Sequence, residues 1–195
     1  MKIRNKNIKV LVVDNYDSFV YNLVHILYEI GVTHIDVVKN DLVDFHNIKQ
    51  YDKILLSPGP GVPKDAGLMP QIIDKYATTK SILGVCLGHQ AIVEVFGGDL
   101  INLEQPLHGV QSAINIQKSD CLFEQMPANF NIGHYHSWIA NQFTLPKEME
   151  VIATDSQGSI MAIRHKEHDV RGLQFHPESI LTDNGKQIIK NWIDN

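Results

Sequence analysis

The ten residues Ser81-Ile82-Leu83-Gly84-Val85-Cys86-Leu87-Gly88-His89-Gln90 constrain the fold more than any other stretch of this chain. Residues 81–85 form a short apolar run of the kind found in a strand buried on both faces. Residues 87–96 are amphipathic at helical spacing and end at Gly97-Gly98. Cys86 alone joins the two. A strand that becomes a helix across one residue needs strained dihedrals and a close backbone approach, and Gly84 and Gly88, two residues to either side, permit both. Such a turn requires an α/β sheet in which a helix packs back on its own strand.

The rest of the first half repeats that alternation. Residues 8–13 are apolar except for Lys9, and a second strand is expected at 35–39 and a third at 53–56. Between the first two, Phe19, Leu23, Ile26, Leu27 and Ile30 recur at helical spacing, with Asp17 and Ser18 placed to cap and Gly31 placed to terminate. A further helix is expected at 69–76. From Asp99 onward the signals are short strands at 113–117, 151–154, 160–164 and 170–175, with turns at Ser156-Gln157-Gly158 and 166–169, and a final helix at 184–193. This pattern predicts one α/β domain over 1–195: a mostly parallel open sheet with flanking helices and an antiparallel strand extension.

Composition narrows the function classes. Of 195 residues, 17 are Lys or Arg and 22 Asp or Glu, a net charge of −5 that offers no basic face for nucleic acid. Residues 1–9 are basic, but the apolar run after them stops at Asp14, too early for a signal segment or a membrane span. Two cysteines are too few for a disulfide framework. A soluble, cytoplasmic chain with no nucleic-acid or membrane partner is expected.

Cys86 sits where a nucleophile would. The G-x-C-x-G turn is the cysteine counterpart of the G-x-S-x-G nucleophile elbow, the partial positive charge of the helix N-terminus favours an anionic sulfur, and the Leu87 N–H points where an oxyanion would form. An isolated free cysteine is more often a small buried hydrophobe, and Cys121, in the loop 119–123, has no feature that argues otherwise. Ten histidines compete to be the base. His176 follows a strand and is followed by Pro177 and Glu178; in an extended segment residues two apart share a face, so Glu178 could orient the ring. His134 and His136 lack the accompanying carboxylate or thiol of a metal site, so no metal is expected. His25, His34, His46, His165 and His168 read as surface residues. Finally, Ser57-Pro58-Gly59-Pro60-Gly61 follows a buried strand and belongs to neither phosphate-loop pattern. Beyond a strand's carboxyl end it would lie beside Cys86 and could present the Gly59 N–H as a second oxyanion donor.

Taken together, 57–61, 84–90 and Gln174-Phe175-His176-Pro177-Glu178-Ser179 resemble the class I, triad-type glutamine amidotransferases. The segments Val13-Asp14-Asn15-Tyr16-Asp17-Ser18-Phe19 and Tyr135-His136-Ser137 are similar to the small subunits of anthranilate synthase and aminodeoxychorismate synthase. The resemblance runs from about residue 8 to the end. It implies a flavodoxin-like architecture and attack by Cys86 on the side-chain amide of L-glutamine, with His176 as base and acid and Glu178 orienting it. It also implies an oxyanion hole at Gly59 and Leu87, and a glutamine site formed by Gly59, Pro60, Gly61, Gln90, Ser137 and Trp138. Ammonia would pass to a chorismate-binding large subunit, in a heterodimer or heterotetramer. This chain would need no cofactor, Mg²⁺ being expected in the partner, which would dock around the Cys86 mouth, including the 15–18 loop and the region of His108. Two positions depart from the family's usual pattern: Val110 after His108-Gly109, where a basic residue is common, and Trp138, where Leu is common. Anthranilate synthesis is the expected branch; the alternatives are the folate branch or one subunit shared by both. A stand-alone cysteine hydrolase of γ-glutamyl or peptide bonds, and a silent binding protein that keeps only the fold, are the competing classes. A hydrolase would be indifferent to any synthase partner. A silent protein would not need Cys86, His176 and Glu178 together.

Overall fold

The computed structural model describes residues 7–195; residues 1–6, most of the basic N-terminal stretch, lie outside the described residues. Strands β1 (Lys9–Asp14), β2 (His34–Lys39), β3 (Lys53–Leu56) and β4 (Ser81–Val85) alternate with helices α1 (Val20–Glu29), α2 (Met69–Tyr76) and, directly after β4, α3 (Leu87–Val95). Then follow β5 (Leu100–Ile116), β6 (Asn131–Ala140), β7 (Met149–Asp155), β8 (Ile160–His165), β9 (Val170–Leu173) and the closing helix α4 (Gly185–Asp194). The sheet runs β2-β1-β3-β4-β9-β8-β7-β5-β6. Its first five strands are parallel, and the remaining ladders are antiparallel.

Side-chain alternation along the parallel strands explains their unbroken apolar sequences. In β1, Val10 and Val12 face a core built with Leu23 and Leu27 of α1 and Ile188 and Trp192 of α4, while Leu11 and Val13 face a second core with Ile72 and Ile73 of α2 and Ile92 of α3. Both faces of the sheet are therefore covered, as a parallel sheet requires. Neither Asp17 nor Ser18 caps α1, whose N-cap is Phe19 without a side-chain bond, but the turns that bound it are formed. Asp17 accepts from the Phe19 N–H at 2.7 Å ahead of α1, Gly31 takes φ +94° after it, and Asp155 accepts from the N–H groups of Gln157 and Ser159 to close the 155–159 turn.

The antiparallel half differs from the sequence expectation. Its first strand is seventeen residues long rather than the five at 113–117, because Pro106 and Gly109, which would ordinarily interrupt a strand, fall at two register shifts, with Gly109 at φ +66°. Its partner β6 carries no alternating apolar signal, because two of its buried positions are filled by His134 and His136. At the other end β9 stops at Leu173, two residues short of the expected strand. His165 is not a surface residue. It is 7% exposed, and its Nδ1 accepts from the N–H groups of Glu167 and His168, closing the β8–β9 hairpin.

One buried carboxylate ties this half together. Asp120 accepts from the Leu122 N–H at 3.0 Å, from Arg171 Nε at 2.9 Å and from Arg164 Nη1 at 3.2 Å, linking the 119–123 loop to β8 and β9. Burial alone would raise its pKa, but the Leu122 N–H and the Arg171 charge outweigh that and hold it below the usual aspartate value. We predict that Asp120→Asn costs about 3 kcal/mol in urea unfolding, because it leaves two partly buried guanidinium groups without their shared anion. The Asp120 contribution should be complete above the ordinary aspartate pKa and fade as the pH falls through its lowered folded value. A loss within about 0.5 kcal/mol, the worth of an exposed pair, would contradict this.

Candidate active site

Parallel pairing places the carboxyl ends of β1, β3, β4 and β9 on one edge of the sheet, where the 13–19, 57–61, 84–90 and 174–179 segments lie. Cys86 follows β4 with φ +50° and ψ −99°, a conformation that non-glycine residues rarely adopt. Its N–H donates to the Leu173 carbonyl of β9 at 2.7 Å, and its carbonyl accepts from the Gln90 N–H, starting α3. The flanking glycines are sterically required: a Cβ on Gly84 would stand 2.4 Å from the Gly88 backbone, and one on Gly88 2.5 Å from the Leu56 carbonyl oxygen. The turn thus exists because α3 lies directly on β3 and β4.

The 57–61 loop packs beside this elbow. A Cβ on Gly59 would meet the Leu87 side chain at 2.7 Å and Asn15 Cβ at 2.5 Å, so the loop, Leu87 and Asn15 are in close contact. Asn15 donates to the Ser57 carbonyl at 2.8 Å, receives Asn40 Nδ2 at 2.9 Å, and its own N–H donates to Ser57 Oγ. At 2% exposure it braces the loop from beneath; within 15–18 it is unavailable for the docking role expected of that segment, whereas Tyr16 is exposed.

His176 and Glu178 meet, though not as neighbours on an extended strand. Past β9 the chain turns, with the Ser179 N–H donating to the His176 carbonyl at 3.2 Å, and this turn brings His176 Nδ1 within 2.7 Å of Glu178 Oε1. The turn is held by Gly185 of α4, where any Cβ would collide with the Pro177 carbonyl oxygen, and by Thr182, whose Oγ1 donates to the His176 carbonyl at 2.6 Å. Both side chains are almost fully buried, at 3% and 0% exposure. The His176 ring is enclosed edge-on by Tyr135 and Phe19, with centroids at 5.1 and 5.8 Å. Neither aromatic is given a role at the site in the sequence reading, although both lie in segments that carry the family resemblance.

Electrostatics single out His176 among the buried histidines. Burial lowers its pKa, but Cys86 and Glu178 more than compensate and raise it well above the ordinary histidine range, to about 10. Its Nε2 is buried without a conventional hydrogen bond, leaving it free to exchange a proton with the sulfur. Burial instead pushes His89 down to about 4 and His136 to about 3. His134 is also lowered, chiefly by burial; its Nδ1 and His136 Nε2 are 3.1 Å apart and its Nε2 meets Ser112 Oγ. Burial thus lowers three of the buried imidazoles, whereas His176 is raised. Burial drives the Cys121 thiol up to about 12.

Gln90 and the Trp138 carbonyl also come to this edge. Gln90 Nε2 donates to the Trp138 carbonyl at 2.9 Å and to Gln174 Oε1 at 3.3 Å, and Gln174 Nε2 donates to Cys86 Sγ at 3.7 Å. Gln174 is fully buried, and sequence reasoning assigns it no role of its own. Its signal is position, two residues before His176 at the end of the strand beside β4. Among the described residues, no group of three or more His, Cys, Asp or Glu is arranged to hold a metal ion.

A family model, Glutamine amidotransferase class-I, matches residues 11–195. Over 187 residues the chain is 42% identical to the aminodeoxychorismate/anthranilate synthase component 2 of Bacillus subtilis, with 95% of each chain covered. Over 188 residues it is 43% identical to the anthranilate synthase component 2 of Lactococcus lactis, covering 95% of this chain and 93% of that one. A solved structure from Thermoplasma acidophilum, named for a subunit of GMP synthase, superposes with a TM-score of 0.85 at 26% identity, covering 95% of this chain and 92% of that one. The chain belongs to the class-I glutamine amidotransferases.

Proposed function

We propose that this chain is the glutaminase subunit of a chorismate-dependent synthase, most directly anthranilate synthase component II, and that Cys86, His176 and Glu178 form its triad. The observation that carries the reading is the juxtaposition of a strained Cys86 at the head of α3 with a buried His176 whose Nδ1 lies 2.7 Å from Glu178 and whose pKa Cys86 and Glu178 raise. Such a pair supplies thiolate and imidazolium together. The sulfur attacks the side-chain amide carbon of L-glutamine, and the oxyanion is received by the N–H groups of Gly59 and Leu87. His176 Nε2 gives its proton to the departing nitrogen, which leaves as ammonia, and a γ-glutamyl thioester remains on Cys86. His176 then takes a proton from water, whose oxygen attacks the thioester carbon and releases glutamate and the thiol. Gly59, Pro60, Gly61, Gln90, Ser137 and Trp138 bind the glutamine. No cofactor is assigned to this chain; Mg²⁺ belongs to the chorismate-binding partner, with which it forms a heterodimer or heterotetramer. A cytoplasmic setting fits, and no described helix is long and apolar enough to cross a membrane. The name of the Bacillus subtilis relative covers both synthases, so the second reading it favours is one subunit shared between them.

Two expected outcomes test this. In a complex with the chorismate-converting subunit, Cys86→Ala should abolish glutamine-dependent product formation and leave ammonia-dependent formation intact. Under the same assay His176→Asn should lose roughly 10³-fold and Glu178→Gln less, about 10–100-fold, since an orienting group contributes less than the base. Glutamate release surviving in Cys86→Ala would remove the assignment, and an equal effect of Cys121→Ala would mean the wrong thiol had been chosen.

The second outcome concerns coupling. Ammonia released into water at neutral pH is mostly protonated and no longer nucleophilic, so hydrolysis should wait for the consumer. Glutamate release by the isolated chain should be slow, rise at least about tenfold on adding the chorismate-binding subunit, and rise again with chorismate. Full turnover by the chain alone would instead favour a stand-alone hydrolase.

A further inference from the structure

The carboxamides of Gln90 and Gln174 form a directed chain from β6 to the nucleophile. The Trp138 carbonyl can only accept, so the amide nitrogen of Gln90 must face it. That nitrogen carries two hydrogens, and the second meets Gln174 at 3.3 Å. Gln174 must therefore turn its oxygen toward Gln90, which leaves its NH₂ group facing Cys86 Sγ at 3.7 Å. No other orientation of the two amides avoids opposing donor to donor or acceptor to acceptor. Gln90 is 3% exposed and Gln174 is fully buried, so water does not compete for these bonds. The Gln174 backbone is fixed too, its N–H donating to the Met161 carbonyl at 2.9 Å. A thiolate has no proton to give and gains from a fixed donor, all the more in a site from which water is excluded.

We propose that Gln174 is a positioning residue for the nucleophile: its carboxamide donates to Cys86 Sγ, is oriented by Gln90 on the Trp138 carbonyl, and so links the glutamine-binding strand β6 to the sulfur. The role rests on the triad reading above and deepens it. His176 faces the sulfur from the 176–179 turn, and Gln174 approaches it from the end of β9. The strained elbow sets where the Cys86 Cα sits; Gln174 sets where the sulfur points and stabilises it as an anion. Because the relay ends on the carbonyl of Trp138, whose neighbour Ser137 lies on the same strand, a shift of β6 on binding glutamine would be felt at Sγ through three hydrogen bonds.

The test measures iodoacetamide alkylation of Cys86 as a function of pH in the full chain carrying Cys121→Ala, alongside glutaminase kinetics of the complex with the chorismate-binding subunit. Gln174→Met keeps the volume and removes the donor. Its alkylation profile should move to higher pH by about one unit, a tenfold loss of thiolate at fixed pH. kcat should fall about tenfold, with KM changed less than about twofold. Gln90→Met, which frees Gln174 to rotate, should move the profile in the same direction by a smaller amount, and Gln174→Asn, a donor on a shorter stem, should recover part of the loss. Superimposable profiles for Gln174→Met and the parent would overturn the proposal while leaving the triad intact, whereas persistent glutaminase activity in Cys86→Ala would overturn the triad reading itself. Should Gln174→Met fail to fold, the side-chain amide resonance of Gln174 in the unsubstituted protein decides. It should follow the titration of Cys86 and stay still in Cys86→Ala, and its indifference in both would equally reject the role.

Discussion

The close approach of α3 to β3 and β4 is the constraint on which the site depends. With no side chains on Gly84 and Gly88, the first turn of the helix rests directly on the two strands, and the single residue between strand and helix has to adopt φ +50°. That strain, of order 1–3 kcal/mol, persists because the surrounding packing over-determines it. Its consequence is chemical. Cys86 stands at the positive end of a helix, on the sheet edge where three other parallel strands also end, each delivering one part: Asn15 from β1, the 57–61 loop from β3, and Gln174 and His176 from β9.

Charge selection follows from that placement. A buried imidazole is ordinarily neutral, and His89, His134 and His136 follow that rule because nothing around them outweighs the effect of burial. His176 departs from it because it alone has an acidic partner on either side, Glu178 at Nδ1 and Cys86 beyond Nε2. The remaining buried histidines then serve as shape and hydrogen-bonding groups. His134 and His136 occupy interior positions of β6 that an apolar strand would give to Val or Ile, and His89 packs against Gly172, where a Cβ would come within 2.6 Å of its ring.

What was legible in the sequence follows from the same physics. Strands buried on both faces write themselves as apolar runs, so β3, β4 and α2 carry the boundaries that their patterns predict. The elbow was legible because a nucleophile turn needs glycine at fixed offsets. The pairing of His176 with Glu178 follows from their spacing, although a turn rather than an extended strand produces it. β6 was not legible, since His134 and His136 fill two of its interior positions, and only the last four residues of β5 show in the sequence, because Pro106 and Gly109 sit at bulges that leave no local trace of the continuing ladder. His165 reads as a surface residue but ends β8, and its buried ring accepts from the turn that follows it. Gln174 and Asn15 act through partners 84 and 42 residues away in sequence, contacts that no local pattern encodes.

The central claim, that the strained Cys86 forms a covalent γ-glutamyl intermediate, is most directly tested by rapid acid quench of the complex during glutamine turnover, followed by peptide mass mapping. The account predicts a hydroxylamine-labile γ-glutamyl group on the peptide containing Cys86 and none on the peptide containing Cys121. Steady glutamate release with Cys86 unmodified at every quench time, or an adduct on another residue, would contradict it.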